Sequence, residues 1–397
     1  MNTQPQRKPT IKSQWTDVDA VIIGSGAGGL AAALAMALAG KKVVVFEQHY
    51  LPGGWCQTFS LGGYRFSPGV HYIGELQPHG RARAIYEGLG VSGDLKFHEL
   101  NSDGYDHIII GQEKFDIPKG KTAYARRLCD RFPQETAGIN ALLDTVAAIS
   151  REVDGLIDRP GILGLLSMPW RSPALTRWGL RTAESFINHF TRDPLLRAIL
   201  ASQCGDHGLP PSLAPVPVHA AVMNHYFNGG YYPEGGGGAL PKAFIRALKR
   251  NGGQIYVRAP VARILIEGRE AIGVELADGT QVRAKHVISN ADPEITFNKL
   301  VGAENLSRGL IRRLKKTVYS VSSMSLFAAL DMDMKAAGFD SGNYWYYANE
   351  DIDGIYRQGM TKQSLERHDI PGFFLTVTTL KDPSKNYNGR HTIESFA

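Results

Sequence analysis

The chain is poor in cysteine, with three residues, Cys56, Cys129 and Cys204, among 397. An odd count, wide spacing and no CxxC pair exclude a disulfide framework and a cysteine-rich zinc module, and suit a reducing compartment. No apolar run reaches the roughly 18 to 20 residues that a spanning helix needs. The nearest, "GILGLLSMPW" at 161–170, is short and ends in Pro169-Trp170. There is no Lys/Arg block either: a formal charge of +6 arises from 44 basic against 38 acidic residues spread along the chain, so nucleic acid is not an expected partner. The 12 histidines include no HExxH and no paired Cys/His spacing, and no metal site is expected. A G-x-S-x-G hydrolase elbow is absent, the serine of "GSGAGG" lying in the wrong register. The N-terminal "MNTQPQRKPTIKSQW" has basic residues but no apolar h-region, so it reads as a disordered leader, with cytoplasmic exposure as the expectation.

What remains is an ordinary globular composition, 43% hydrophobic and 21% charged, in a chain long enough for two lobes. Asp19 to Ile23, "DAVII", reads as a buried strand running into "GSGAGG", which sets Gly24, Gly26 and Gly29 in G-x-G-x-x-G register. An Ala-rich helix closed by Gly40 follows, then a second apolar strand ending on Glu47. Each part serves a dinucleotide. Gly24 permits the tight turn, Gly26 the approach of a pyrophosphate and Gly29 close helix–strand packing. The helix N-terminus offers N–H groups to phosphate, and Glu47 falls where a carboxylate accepts hydrogen bonds from a ribose diol.

Glu47 is followed at once by "QHYLPGGWCQTFSLGGYRFSPGVHYIG", a loop-rich segment dense in glycine. Glycine lets a backbone approach something bulky or take positive φ. "EQHYLPGGWCQTF" and "YRFSPGVHYIG" resemble the flavoprotein family of phytoene desaturases, carotenoid isomerases and retinol saturases, closest in its isomerase and saturase branch through the Cys-x-Thr-Phe and His-Tyr-x-Gly elements. The resemblance implies FAD, with the pair Gly53-Gly54 along its phosphates. It implies contacts from Gly24, Gly26, Ala27, Gly28, Gly29, Glu47, Gln48, Gly53, Gly54, Thr58, Val261, Asn290 and Ala291. It also implies a lipophilic isoprenoid substrate and hydride chemistry at the flavin N5: desaturation, saturation or cis-trans isomerisation. Trp55, Gln57 and Ser67-Pro68 depart from the family pattern, which bears on the substrate and not on FAD. Relatives carry a further glycine-rich segment near their C-terminus, whereas this sequence ends at "HTIESFA", so a truncated product or partial record is expected.

Between 76 and 230 no dinucleotide motif recurs, and "TAGINALLDTVAAIS" and "PLLRAILASQCG" have helical spacing. This stretch reads as a helical substrate lobe. Its 161–181 run sets Leu, Met and Trp beside Arg171, Arg177 and Arg181, which fits either a membrane-surface segment or a solvated cap over a pocket. Residues 231–295 reopen a cofactor pattern: Gly235 to Gly238, a helix near 240–250, then strands at 255–266, 271–276 and 286–289. The expected architecture is α/β: a discontinuous Rossmann-like FAD domain from 17–75 and 231–295, with 76–230 and 296–397 forming an α+β substrate domain. His71 and Tyr72 are the candidate acid and base, against the plainer role of shaping the cofactor loop. Two other functions stay open, a flavin amine oxidase-like small-molecule oxidase and a non-catalytic flavin- or lipid-binding remnant. Sequence leaves the oligomeric state open.

Overall fold

The computed structural model describes residue 11 and residues 15–157, 162–359, 361 and 370–397, with the side chains of 157 and 162–166 left out. All of the expected leader except Ile11 and Trp15 lies outside the described residues, as does the start of the 161–181 run. Two compact units divide the chain: Met1–Val70, Arg83–Phe97 and Pro233–Tyr319 form the first, and His71–Ala82, His98–Tyr232 and Ser320–Ala397 form the second.

The first unit is built on a six-stranded sheet. Asp17–Ile23 lies at its centre, parallel to Gln281–Ser289 on one side and to Val43–Phe46 on the other, with Gln254–Tyr256 extending the parallel set. Val261–Glu267 and Glu270–Leu276 continue it as an antiparallel meander from Gln281–Ser289. A central parallel strand is covered on both faces, which is why its run is unbroken rather than alternating. Ala20 and Ile22 pack with Ala33, Ala37 and Leu248, while Val21 and Ile23 face Ile264, Val274 and Val282. The result is a Rossmann-like α/β unit, the architecture that binds dinucleotides at the carboxyl ends of its parallel strands.

The unit edges differ from expectation, since 71–75 and 231–232 fall in the second unit and 296–319 in the first, and two further boundaries differ as well. The 255–266 strand divides at Arg258–Pro260, where Arg258 takes φ +54 and Pro260 lacks an N–H for a ladder. Its first half pairs at the parallel edge, and its second half opens the meander. Arg83–Phe97, expected in the substrate lobe, belongs to the first unit because Tyr86 packs edge-on to Phe244, and Arg246 and Arg250 pair with Asp94.

The second unit joins helices to a mixed six-stranded sheet, in the order Ser325–Leu330, His391–Phe396, Gly372–Val377, Asn343–Tyr347, Asp106–Ile110, Glu113–Ile117. The last two strands lie within the stretch read as helical. "DHIII" and "EKFDI" are short, and the helical periodicity downstream outweighs them. Asn343–Tyr347 and Asp106–Ile110 are parallel and the other neighbours antiparallel. The long helix Thr136–Ile157 buries Ile139, Leu142, Leu143, Val146 and Ile149, a stripe at 3.6-residue spacing. Tyr344, Trp345 and Tyr347 are core, as aromatics in a central strand should be.

Candidate functional site

In the first unit the dinucleotide motifs converge. Gly24 takes φ +89, the turn that ends the central strand, and the helix Ala27–Leu38 starts at Gly26 without a side-chain cap or an acid in its first turn. Its leading N–H groups are thus presented as an anion site. A Cβ at Gly29 would lie 2.2 Å from the Gly24 carbonyl oxygen, so only glycine permits this helix–strand approach. Cβ atoms at Gly26 and Gly28 would lie 2.6 and 2.7 Å from the side-chain amide of Asn290, whose own N–H donates to Ile23 O at 2.8 Å. Asn290 and Ala291 therefore close over the glycine turn.

Ser25 ties the motifs together. Its N–H and Oγ both donate to Glu47 Oε2, at 2.9 and 2.6 Å, and its Oγ accepts from Gly53 N–H at 3.0 Å. Glu47 Oε1 accepts from His49 N–H at 2.8 Å. A carboxylate has about four acceptor directions, so Glu47 keeps room for a ribose hydroxyl while being held in place. Gly54, at φ +56, brings its Cα side so close that a Cβ would meet Gly26 Cα at 3.2 Å. Thr58 Oγ1 accepts from Gly238 N–H at 2.7 Å and Ser67 Oγ from Gly237 N–H at 3.0 Å, bracing the first glycine-rich segment against the second. Gln48 is exposed beside Glu47, and Val261 opens the meander two residues after Ala259, whose N–H donates to Glu47 O. The residues present fit FAD: an uncapped helix start for the phosphates, an anchored carboxylate for the ribose, and glycines where side chains would fill the cradle.

His71 and Tyr72 fall in the second unit, at opposite ends of a buried polar row that sequence reasoning missed, His71 beside Glu394 and Tyr72 beside Asp106. Strand register places Asp106 opposite Asn343, Asn343 opposite Thr376, and Thr376 opposite Glu394, so one polar residue from each of four strands lines up across the sheet. Lys381 and Lys385 meet this row, at 3% and 2% exposure. Lys385 Nζ donates to Glu394 Oε1 at 3.2 Å and to Thr378 Oγ1 at 2.8 Å. Lys381 Nζ donates to His71 O at 2.7 Å and to Asn343 Oδ1. Asn343 in turn donates to Asp106, which also accepts from Gln203 and from the Tyr72 hydroxyl.

Burial dominates the protonation states here. It pulls Lys381 down from 10.5 to about 7 against the opposing pull of Glu394 and Asp106. It pushes Asp106 up despite the hydrogen bonds from Asn343 and Gln203. It also pushes Tyr72 well above its ordinary value, helped by the carboxylates of Asp106 and Asp206, so Tyr72 stays a proton donor and not a base. His71 Nδ1 lies 3.2 Å from Glu394 Oε2, and its ring packs on Phe374 and Phe396. Lys381 is thus a group whose proton exchanges near neutral pH.

Together these features define a Rossmann-like unit whose residues fit FAD, and a second unit carrying a buried row of titratable groups. The chain belongs to the flavin containing amine oxidoreductase family, whose model matches residues 27–325. It is 33% identical over 389 residues to all-trans-retinol 13,14-reductase of Danio rerio, covering 92% of this chain and 63% of that protein. It is 26% identical to prolycopene isomerase 1, chloroplastic, of an Oncidium hybrid cultivar, covering 96% of this chain and 64% of the relative. The chain thus spans under two thirds of the length of these curated relatives. The crystal structure of an oxidoreductase from Methanosarcina mazei shares the fold at a TM-score of 0.67 and 20% identity, over 95% of this chain and 78% of that one.

Proposed function

We propose that this chain forms the FAD-binding and polyene-handling part of an oxidoreductase that saturates or isomerises a double bond in a retinoid or carotenoid. The 33% identity to a retinol reductase over 92% of the chain carries this reading. FAD, when bound, supplies or accepts hydride at its N5. The chain's own contribution begins with the helix start at Ala27 for the phosphates and the Ser25-anchored Glu47 for the ribose. In the second unit, Lys381 holds a proton that it can release near pH 7, Asn343 and the His71 carbonyl orient it, and the surrounding aromatics keep water out. Saturating a double bond adds one hydride and one proton, and in this proposal Lys381 is the candidate source of the proton.

The experiment incubates the FAD-loaded, chemically reduced chain without oxygen with all-trans-retinol and, separately, with a cis-carotenoid, and resolves products by chromatography. A dihydro-retinoid or an isomerised carotenoid supports the proposal. Unchanged polyenes with an amine oxidised under air would replace it by the amine oxidase reading.

No helix among the described residues is long and apolar enough to cross a membrane. Contact with a lipid surface, where such substrates dissolve, is part of the proposal. Trp170 and Leu180 stand 83% and 104% exposed beside Arg171 and Arg181, while Trp178 turns into the core under Arg177 and Arg181. Flotation with anionic liposomes tests it: co-flotation that falls several-fold in Trp170→Ser supports the contact, and a chain that stays at the bottom of the gradient refutes it.

A further inference from the structure

Away from the polar row, the second unit gathers three side chains that the proposed chemistry does not use. Cys204 and His207 lie on the short 3-10 turn Ser202–Asp206 and just after it, and His219 lies on the helix Val216–Tyr226. One donor atom from each falls within 4.8 Å of the other two. Sequence offered no warning, because the pattern C-x2-H followed twelve residues later by a lone His matches no zinc-module spacing.

The distances fit a ligand set. Cys204 Sγ lies 3.7 Å from His219 Nδ1, and His207 Nε2 lies 3.4 Å from the same Nδ1. The second separation is long for a hydrogen bond between nitrogens, which prefer about 2.7 to 3.2 Å. A tetrahedral zinc with Zn–N near 2.05 Å and Zn–S near 2.3 Å sets its ligands about 3.35 Å (N to N) and about 3.6 Å (N to S) apart. Both observed spacings agree with these values to about 0.1 Å.

The outer contacts favour the same arrangement. His219 Nε2 faces the Leu200 carbonyl oxygen at 2.9 Å. A carbonyl only accepts, so Nε2 carries the proton and Nδ1 turns its lone pair toward Cys204 and His207. That back-donation to a main-chain oxygen is how metal-ligating histidines are oriented. Among the described residues His207 Nδ1 is buried without a hydrogen-bond partner. Cys204 is fully buried and unoxidised.

We infer that Cys204, His207 and His219 form a zinc site, with Sγ, Nε2 and Nδ1 as its three protein donors and a fourth position for water. Among the described residues no further Cys, His, Asp or Glu joins the group. The mixed thiolate and imidazole set suits Zn2+ and disfavours Mg2+ and Ca2+, which take oxygen donors. Zinc there staples the Ser202–Asp206 turn to the Val216–Tyr226 helix.

The test measures metal content. The full chain is stripped with chelator, loaded with Zn2+, dialysed, and assayed by elemental analysis. Replacing Zn2+ with Co2+ gives a second readout in difference spectra, a thiolate-to-cobalt charge-transfer band. About one equivalent of zinc per chain, falling about tenfold in both Cys204→Ser and His207→Gln, is the expected result. Circular dichroism and a native-like melting curve check that each variant is folded, and His207, only partly buried, is the substitution better tolerated. Less than about 0.1 equivalent in the native chain, equal zinc in folded His207→Gln, or a cobalt adduct lacking the thiolate band would overturn the assignment.

Discussion

Lys381→Met isolates the buried charge. Lys381 is 3% exposed, and burial is the main force drawing its ammonium down from 10.5 to about 7, with Lys385 adding to the pull and Glu394 and Asp106 resisting it. The folded-state pKa lies below the unfolded one, so between the two the unfolded chain binds more protons and stability rises with pH. Below about pH 7 the full cost of burying the ammonium is present; above about pH 10.5 it is gone. From pH 7 to pH 10 the gain is about 3 to 4 kcal/mol. The substitution also strips the donor from Asn343 Oδ1 and the His71 carbonyl, a cost of about 1 to 3 kcal/mol for each acceptor left unpaired. That loss does not depend on pH, so the pH-dependent part stands apart from it. Urea unfolding of both chains, followed by tryptophan fluorescence at the two pH values, gives the comparison. The native chain gains about 3 to 4 kcal/mol relative to Lys381→Met on going to pH 10. A difference constant to within about 1 kcal/mol would mean that Lys381 keeps an ordinary pKa, and would remove it as the proton source.

Three further outcomes are expected. His107 sits between Asp116 Oδ1 at 2.6 Å and Asp340 Oδ1 at 2.9 Å, and these carboxylates, overcoming the opposing effect of burial, raise it to about 9. Its stabilisation is therefore complete below about pH 6.5 and lost as pH climbs through about 9. His107→Gln should cost roughly 1 to 2 kcal/mol more at pH 6 than at pH 10, discounted because both partners are over a third exposed; equal costs at the two pH values would refute the pairing. Gly29→Ala forces a Cβ to 2.2 Å from a backbone oxygen that cannot swing aside, so thermal denaturation should show a loss of about 2 kcal/mol or more, and an unchanged melting curve would contradict that packing. Glu47→Gln weakens the two hydrogen bonds from Ser25 and the one from His49, and titration with FAD should show affinity lower by about 1.5 to 3 kcal/mol, whereas native affinity would place the ribose elsewhere.

The first unit was largely legible in the sequence because its information is local. "DAVII", "GSGAGG" and Glu47 lie within 30 residues of one another, and each obeys a steric or hydrogen-bonding requirement that names its residue type. The role of Ser25 was not legible, since a serine between two glycines carries no signal until Glu47 and Gly53 close on it. The polar row of the second unit was invisible for a different reason. Asp106, Asn343, Thr376 and Glu394 are single polar residues in otherwise apolar strands, and only strand register sets them side by side. Lys381 and Lys385, in "LKDPSK", carry no local signal of burial, which follows from the short helix Thr378–Lys381 turning back on the sheet. The Cys204, His207 and His219 cluster likewise exists only after a turn and a helix have packed.

The most direct test of the central claim is the visible absorption spectrum of the purified chain after incubation with FAD and removal of the excess, with the released cofactor identified by chromatography. About one FAD per chain, lost in Gly26→Val, where a side chain would fill the space beside Asn290 and the phosphate approach, is the expected result. A chain that stays colourless, or that holds as much flavin with valine at position 26, would contradict the assignment of this glycine turn as the flavin's anchor.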